Sequence, residues 1–410
     1  MGKQKTGFRW VILFILVFGN AMLNFSNLIF ASRPTDVMAQ FNMTQAQLTA
    51  ISTVGMLPGA FLSVYLGNLL DKRGVRKITA VLLALAAACQ IWRVFAGSYV
   101  ELVLITLLAG TFFLPVSIIA PKMVGLWFPR EEAGTAMGVY GAAAGIGTTL
   151  AFAVGGLFPT SRSAFAVIAG GYVLMFVLWV LCAKESPVQA EAGAAPPAPP
   201  KGSLGKVVRS RNMWLVMICG GLAVGAALLL NSYMINALLG KGLPAASASG
   251  LTTLLNVCLV IGGVVSGVVV SRLGRYNPPY AVICIGGAAL YYAAYMLPFG
   301  PATYVLFALG GLVCSGSIGV NMARVGLLPL TGEFGPENTG AAGGMLNTMV
   351  GICSFVVPTL VSMAAGDNYN LIFLIIAVFL VLIGLLGGFA IPELGERGKL
   401  ARQAQSSVHT

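Results

Sequence analysis

Gly67-Asn68-Leu69-Leu70-Asp71-Lys72-Arg73-Gly74-Val75-Arg76-Lys77 separates two long apolar runs, and Gly267-Val268-Val269-Val270-Ser271-Arg272-Leu273-Gly274-Arg275 separates two more, 200 residues further on. Four cations and an acid beside a glycine belong in water at the end of a helix, and Gly74 allows a tight turn there. The recurrence says more than either stretch alone. Lys122-Met-Val-Gly125 has a counterpart in Arg324-Val-Gly326, and Glu131-Glu-Ala-Gly134-Thr-Ala-Met-Gly138 has one in Glu337-Asn-Thr-Gly340-Ala-Ala-Gly-Gly344, at an offset of 206. A repeat of this length with small insertions describes a chain made of two related halves.

Outward from these connections the chain is apolar. Of 410 residues, 58% are hydrophobic and 9% charged, with a mean hydropathy of +0.89, a composition foreign to soluble domains. Runs of about 20 apolar residues, enough to cross a hydrocarbon core as a helix, fall near 9–31, 46–70, 78–97, 101–128, 134–158 and 164–183, then 212–239, 247–271, 279–297, 302–328, 338–365 and 370–391. Helices are expected because lipid cannot satisfy backbone N–H and C=O groups, and the alternating pattern of a membrane barrel is missing. The fold class expected is therefore all-α integral membrane, with twelve transmembrane helices as two pseudo-symmetric six-helix bundles. The first bundle is expected over 1–183 and the second, with a tail, over 212–410. Between them, 184–211 carries Ala194-Ala-Pro-Pro-Ala-Pro-Pro200 and a basic stretch, and reads as a cytoplasmic linker.

The net charge of +12 raises nucleic acid as a partner, but the placement of the cations excludes it. Eighteen of the 24 Lys and Arg residues fall on one side of the proposed spans, against Arg33, Arg162 and Lys241 on the other. The positive-inside rule then puts both termini in the cytoplasm of a bacterial-type plasma membrane. All seven cysteines lie in apolar runs without metal-type spacing and read as packing residues. The first apolar run continues into Asn24-Phe-Ser-Asn27 with no small-residue cleavage site, so it reads as a retained helix.

The Gly67–Lys77 stretch resembles the connection between helices two and three of the major facilitator superfamily, matching its pattern of Gly, three residues, Asp, a base, any residue, Gly, any residue, Arg, a base. The resemblance covers essentially the whole chain, and implies two six-helix bundles enclosing a central cavity that opens alternately to each side. On the physical reading, Asp71 at a helix end can accept charge-assisted hydrogen bonds. Gly67, Asp71, Gly74, Arg76 and Arg130 are then the expected conformational latch on the cytoplasmic side, with Gly67 allowing close helix approach. Lys72, Arg73 and Lys77 read as topological charges. Ser271 replaces the acid in the second half, so a latch there is weaker or absent. The stretch Pro121-Lys-Met-Val-Gly-Leu-Trp-Phe-Pro-Arg-Glu131 looks like the end of helix four in bacterial anion porters of the nitrate/nitrite, cyanate and organic-anion types. Helices two and eight lack the mid-membrane Arg of nitrate porters, and helix five lacks the Gly-Pro motif of drug/proton antiporters. Lys184-Glu-Ser-Pro187 and Ile391-Pro-Glu393 echo sugar porters, whose helix-seven Gln-Gln pattern is missing.

Ionisable residues inside the membrane cost free energy and need a reason. All twelve acids fall in loops or at helix ends, and His409 is in the tail, so no proton relay is evident. Three cations fall inside spans. Arg93, beside Trp92 near the outer end of helix three, is expected to snorkel to the interface. Lys122 and Arg324 are repeat-related and lie inside the cytoplasmic ends of helices four and ten; two readings stand, bracing of the loops (snorkelling or pairing with Glu131 or Glu337) and attraction of an anion into the cavity. Candidate substrate-binding residues are Asn24, Asn27, Lys122, Tyr140, Asn231, Tyr233, Asn321, Arg324 and Asn347. Asn20, Asn24 and Asn27 share one helix face. If helices one, four, seven and ten line the cavity, as the resemblance implies, Asn24, Asn27, Asn231 and Asn321 gain weight; interhelical hydrogen bonding is the competing role. Glycines 138, 141, 145 and 147 of helix five and 340, 343, 344 and 351 of helix eleven are expected to pack helices closely, and Pro58, Pro115 and Pro121 to kink theirs.

The expected function is secondary active transport of a small, anionic solute by alternating access, in a monomer embedded in the lipid bilayer, without cofactor or metal. Efflux of amphipathic compounds, or a receptor that keeps the fold without transporting, are the alternatives. With no nucleophile and base pair, metal cluster or phosphate-binding loop in the sequence, an enzyme is not expected.

Overall fold

The computed structural model describes residues 4–128, 130–183, 203–335 and 338–394, and all its regular structure is helical. The first span is Gln4–Ser32, followed by a short outer helix, Pro34–Phe41. The second span is divided into Gln45–Val54 and Leu57–Arg73, and Val75–Phe95, Tyr99–Trp127, Arg130–Gly155 and Ser161–Cys182 complete the first six. After a short helix, Ser203–Arg209, spans seven to nine are Arg211–Gly240, Ala245–Leu273 and Asn277–Met296. Span ten is Pro301–Cys314 and Gly316–Leu327, span eleven Thr339–Ala365, and span twelve Tyr369–Leu385 with a closing π-turn, Leu386–Ala390. Among the described residues, eleven of these stretches are long and apolar enough to cross a membrane, span ten counted whole. The second span is the twelfth, and its interruption at Gly55-Met56 immediately precedes Pro58, whose missing N–H removes the helical bond that would bridge the break.

The chain separates into two compact units, Met1–Pro196 with Leu243–Thr253, and Pro197–Gly242 with Leu254–Thr410. Of the expected linker, 184–211, residues 184–202 lie outside the described residues, whereas Ser203–Arg209 is a helix whose Val207 is buried in the core of the second unit and Arg211 already opens span seven. Helix starts are capped where the sequence supplies a small polar residue. Thr44 and Gln47 exchange bonds as a capping box, Ser98 accepts from the Glu101 amide, and Ser210 accepts from the Met213 amide. Gly74 and Gly274, the repeat-related turn glycines, both adopt positive φ, +90° and +60°. That conformation is costly for any residue with a Cβ.

Inside each unit the crossing helices meet through glycine, in most cases at places the sequence did not single out. A Cβ on Gly110 would stand 2.1 Å from the Gly55 carbonyl oxygen, so spans four and two touch backbone to backbone at the break. In the second unit the equivalent crossing of spans eight and ten puts Gly262 against the Leu312 carbonyl at the same 2.1 Å. Spans one and five meet at Gly147 and Ala21, as expected for helix five. Between spans seven and eleven the glycines are on the other partner: Gly221 and Gly225 of span seven face Cys353 and Val357. Gly138, Gly141, Gly343 and Gly344 have no heavy atom within 4 Å of where a Cβ would sit, so the close packing expected of them is not theirs. Gly67 is likewise not needed for close approach, its nearest neighbour being Ile118 at 3.8 Å.

Candidate functional site

The polar side chains of the first unit begin on span one. Asn24 donates to the backbone oxygen of Asn20 at 2.9 Å and to its side-chain oxygen at 3.2 Å, and Asn20 donates across to the Tyr140 carbonyl at 2.9 Å. These groups keep part of their surface exposed. One turn further, Asn27 is buried, its amide nitrogen unpartnered and its oxygen beside Gly55 at the break in span two. The helical spacing therefore does place the three asparagines in sequence along the helix, but Asn20 and Asn24 serve span five while Asn27 lies against span two.

Arg93 corrects the expectation of snorkelling. Its guanidinium is 1% exposed and turned into the bundle. One terminal nitrogen donates to Ser26 Oγ at 2.9 Å, the other to Thr106 Oγ1 at 3.2 Å, and the group lies 5.0 Å from the Phe30 ring centre. Gln90, three residues earlier and on the same face, donates to Ser26 at 3.3 Å. Depth along the helix suggested water; the face of the helix decided burial. The polar pair Gln90 and Arg93 at i, i+3 was the signal, since two such residues on one face need partners from neighbouring helices.

In the second unit Arg324 is 0% exposed. A single terminal nitrogen, Nη2, donates to the Gly387 carbonyl at 2.8 Å, to Asn277 Oδ1 at 2.9 Å and to the Tyr276 carbonyl at 3.4 Å, with the guanidinium 4.2 Å from the centre of the Tyr280 ring. Asn277 in turn donates to the Ile391 carbonyl at 2.6 Å, and Glu393 accepts from the Tyr276 and Asn277 amides at 2.7 and 3.0 Å. The π-turn supplies the geometry, because it frees carbonyls that a continuing α-helix would use. Gly387 supplies the room: a Cβ there would meet the Tyr280 ring at 2.2 Å and Arg324 at 2.9 Å. Arg324 thus joins span ten to the start of span nine and the end of span twelve. Snorkelling does not describe it, and the expected pairing with Glu337 lies outside the described residues.

The remaining candidates divide by burial. Asn321 is buried and donates to the Val216 carbonyl of span seven at 3.1 Å. Asn231 accepts from Asn256 at 2.9 Å and donates to the Ala227 carbonyl at 3.0 Å. Tyr233 is buried, donates to the Gly366 carbonyl at 3.2 Å and lies edge-on to Tyr369. Lys122 is half-buried and Asn347 exposed. Of the expected latch, the side chains of Asp71 and Arg130 lie outside the described residues. Arg76 is exposed and donates to the Val180 carbonyl at 3.2 Å, while its own carbonyl accepts from Trp179 Nε1 at 3.1 Å. An ion pair the sequence reading did not anticipate joins Arg9 and Glu132 at 3.0 Å, tying span one to the start of span five. An apolar cavity of about 30 Å³ is lined by Ala223, Ala226, Tyr291, Cys314 and Leu380 of spans seven, nine, ten and twelve, room for a few waters. Among the described residues no group of three metal-ligating side chains comes together.

The family model described as Major Facilitator Superfamily matches residues 10–358. The chain belongs to the major facilitator superfamily. It is 23% identical over 366 residues to the probable nitrate/nitrite antiporter NarK1 of Thermus thermophilus, covering 82% of this chain and 81% of that one. It is 24% identical over 390 residues to the probable sulfoacetate transporter SauU of Cupriavidus necator, covering 87% and 88%. Its fold is similar to the crystal structure of a bacterial homolog to the human lysosomal transporter Spinster in an inward-facing and unoccupied conformation, with a TM-score of 0.77, 12% identity and coverage of 98% and 99%. As a member of the major facilitator superfamily it is a multi-pass membrane transporter of two six-helix bundles, and not an enzyme.

Proposed function

We propose that this transporter carries a small anion across a bacterial plasma membrane by alternating access, with both termini in the cytoplasm. One observation carries the reading: among the described residues, the charge inside the spans is cationic. Arg93 and Arg324 are fully buried, Lys122 is half-buried, and the described acids stand at helix ends or in connections. A positive interior in a low-dielectric surround concentrates anions and repels cations. The nitrate, nitrite and sulfoacetate named for its relatives are all anions. Burial sorts the site. Asn24, Lys122, Tyr140 and Asn347 retain exposed surface and are assigned to contact with the solute, whereas Asn27, Asn231, Tyr233, Asn321 and Arg324 support the helices that carry them. Asp71, Gly74, Arg76 and Arg130 form the latch of the cytoplasmic side in this proposal.

The test is counterflow of nitrate, nitrite and sulfoacetate in proteoliposomes, with Lys122→Gln beside the parent. Uptake of at least one anion is expected, with apparent affinity falling about tenfold in the variant, the loss of roughly one charge-assisted hydrogen bond. No anion uptake alongside uptake of cationic or neutral amphipathic compounds would defeat the reading.

A further inference from the structure

We propose that the short helix Ser203–Arg209 and the start of span seven form a binding site for the headgroup of an anionic phospholipid. The helix is fixed in place and not merely near the surface. Val207 is buried in the core formed by Met213, Leu328, Phe334 and Leu394. Ser210 caps span seven by accepting from the Met213 amide at 3.0 Å, and Trp214 Nε1 donates back to the Val208 carbonyl at 2.8 Å. The connection is therefore a folded corner that holds its outward side chains in a set arrangement.

Three of those side chains are cations. Lys206, Arg209 and Arg211 are all exposed. Glu333, a carboxylate at this corner, is taken by neutral donors: the Ser210 hydroxyl and Asn212 Nδ2 both bond to it. None of the three cations is in an ion pair among the described residues. Arg211, Trp214 and Ile218 are exposed at i, i+3 and i+7, which puts them on one stripe of span seven. In a lipid-embedded chain an exposed Ile followed by an exposed Trp and then Arg marks the passage from acyl chain to headgroup, the depth at which indoles settle. The cations then stand at phosphate level, where each one near an anionic surface is favoured by its potential. A topological charge needs only to be on this side. It needs neither a folded corner nor an acid occupied by uncharged partners.

The experiment uses the full-length transporter in nanodiscs of phosphatidylcholine and of an equimolar mixture with phosphatidylglycerol. Co-purified phosphatidylglycerol and thermal unfolding are measured for the parent, for Lys206→Gln/Arg209→Gln/Arg211→Gln, for the charge-keeping Arg209→Lys/Arg211→Lys, and for Arg272→Gln/Arg275→Gln at another exposed basic connection. The parent and the lysine variant should retain phosphatidylglycerol and unfold at higher temperature in the mixture. The triple glutamine variant should retain on the order of tenfold less, and the Arg272/Arg275 variant should match the parent. Equal retention by the triple variant, or an equal loss in the Arg272/Arg275 variant, overturns the site. These readouts need no transport, so their failure is separable from failure of the anion reading.

Discussion

Among the described residues each unit holds one fully buried guanidinium, and the two are held by opposite means. Arg93 uses both prongs of its fork on side-chain hydroxyls, Ser26 on span one and Thr106 on span four. Arg324 uses one nitrogen on three acceptors, two of them backbone carbonyls at helix ends, Tyr276 before span nine and Gly387 in the π-turn of span twelve. The first arrangement can rearrange by rotating side chains. The second is built into the backbone, and a cation at the carbonyl end of span twelve also complements the helix dipole. Repeat symmetry therefore fixes the crossings of helices in both units without fixing where the buried charge sits.

The largest effect that breaks this comparison is expected at Gly387. Its replacement by Ala places a Cβ 2.2 Å from the Tyr280 ring and 2.9 Å from Arg324. The π-turn or the ring must shift, and overpacking of this kind costs about 1–3 kcal/mol or more. A lower unfolding temperature of the purified protein is expected. An unchanged temperature would show that the π-turn is not a fixed support for Arg324.

The next effect sharpens it, since the two arginines should respond differently to lysine. A lysine ammonium is a single nitrogen with three donors. It can take the place of Nη2 of Arg324, but it cannot span Ser26 and Thr106 as the Arg93 fork does. Arg93→Lys is expected to lose one buried hydrogen bond, about 1–2 kcal/mol, and Arg324→Lys less than half of that. Thermal unfolding in the same detergent reads both. The reverse order would mean that the fork, and not the single nitrogen, matters in the second unit.

Much of this architecture was legible in the sequence because lipid imposes it. Long apolar runs predict spans, and the Gly74 and Gly274 stretches predict the turns that both adopt positive φ. Burial of Arg93 was not legible from its depth, because depth does not say which face of a helix looks inward; the Gln90 and Arg93 spacing held that information. The partners of Arg324 come from residues 47 and 63 positions away, and no local pattern announces them. Glu393, read as a faint echo of another motif, turned out to hold two amides at the start of span nine. The glycines of helices five and eleven pointed to the right helix pairs and, at Gly147, to the right residue, but between spans seven and eleven the space comes from Gly221 and Gly225, since composition does not reveal which helix of a pair yields the space.

The smallest expected effect concerns the corner of the first unit that corresponds to the Arg324 corner of the second. There the start of span three meets the end of span six through the indole of Trp179, which is 1% exposed and donates at 3.1 Å to the carbonyl of Arg76. Arg76 returns a bond to Val180 from an exposed side chain. Among the described residues no buried cation contributes at this corner, so one neutral bond from a buried indole and one from an exposed guanidinium do the joining. Trp179→Phe keeps most of the apolar contact and removes the indole bond, which should cost about 1 kcal/mol. Arg76→Gln, acting at the surface, should change stability by less than about 0.5 kcal/mol, yet it should slow counterflow if Arg76 belongs to the latch. Stability and transport thus separate at neighbouring residues: Trp179 is expected to move the first, Arg76 the second. A variant of Arg76 that lowers stability as much as Trp179→Phe would instead make the two corners alike, each braced by its cation.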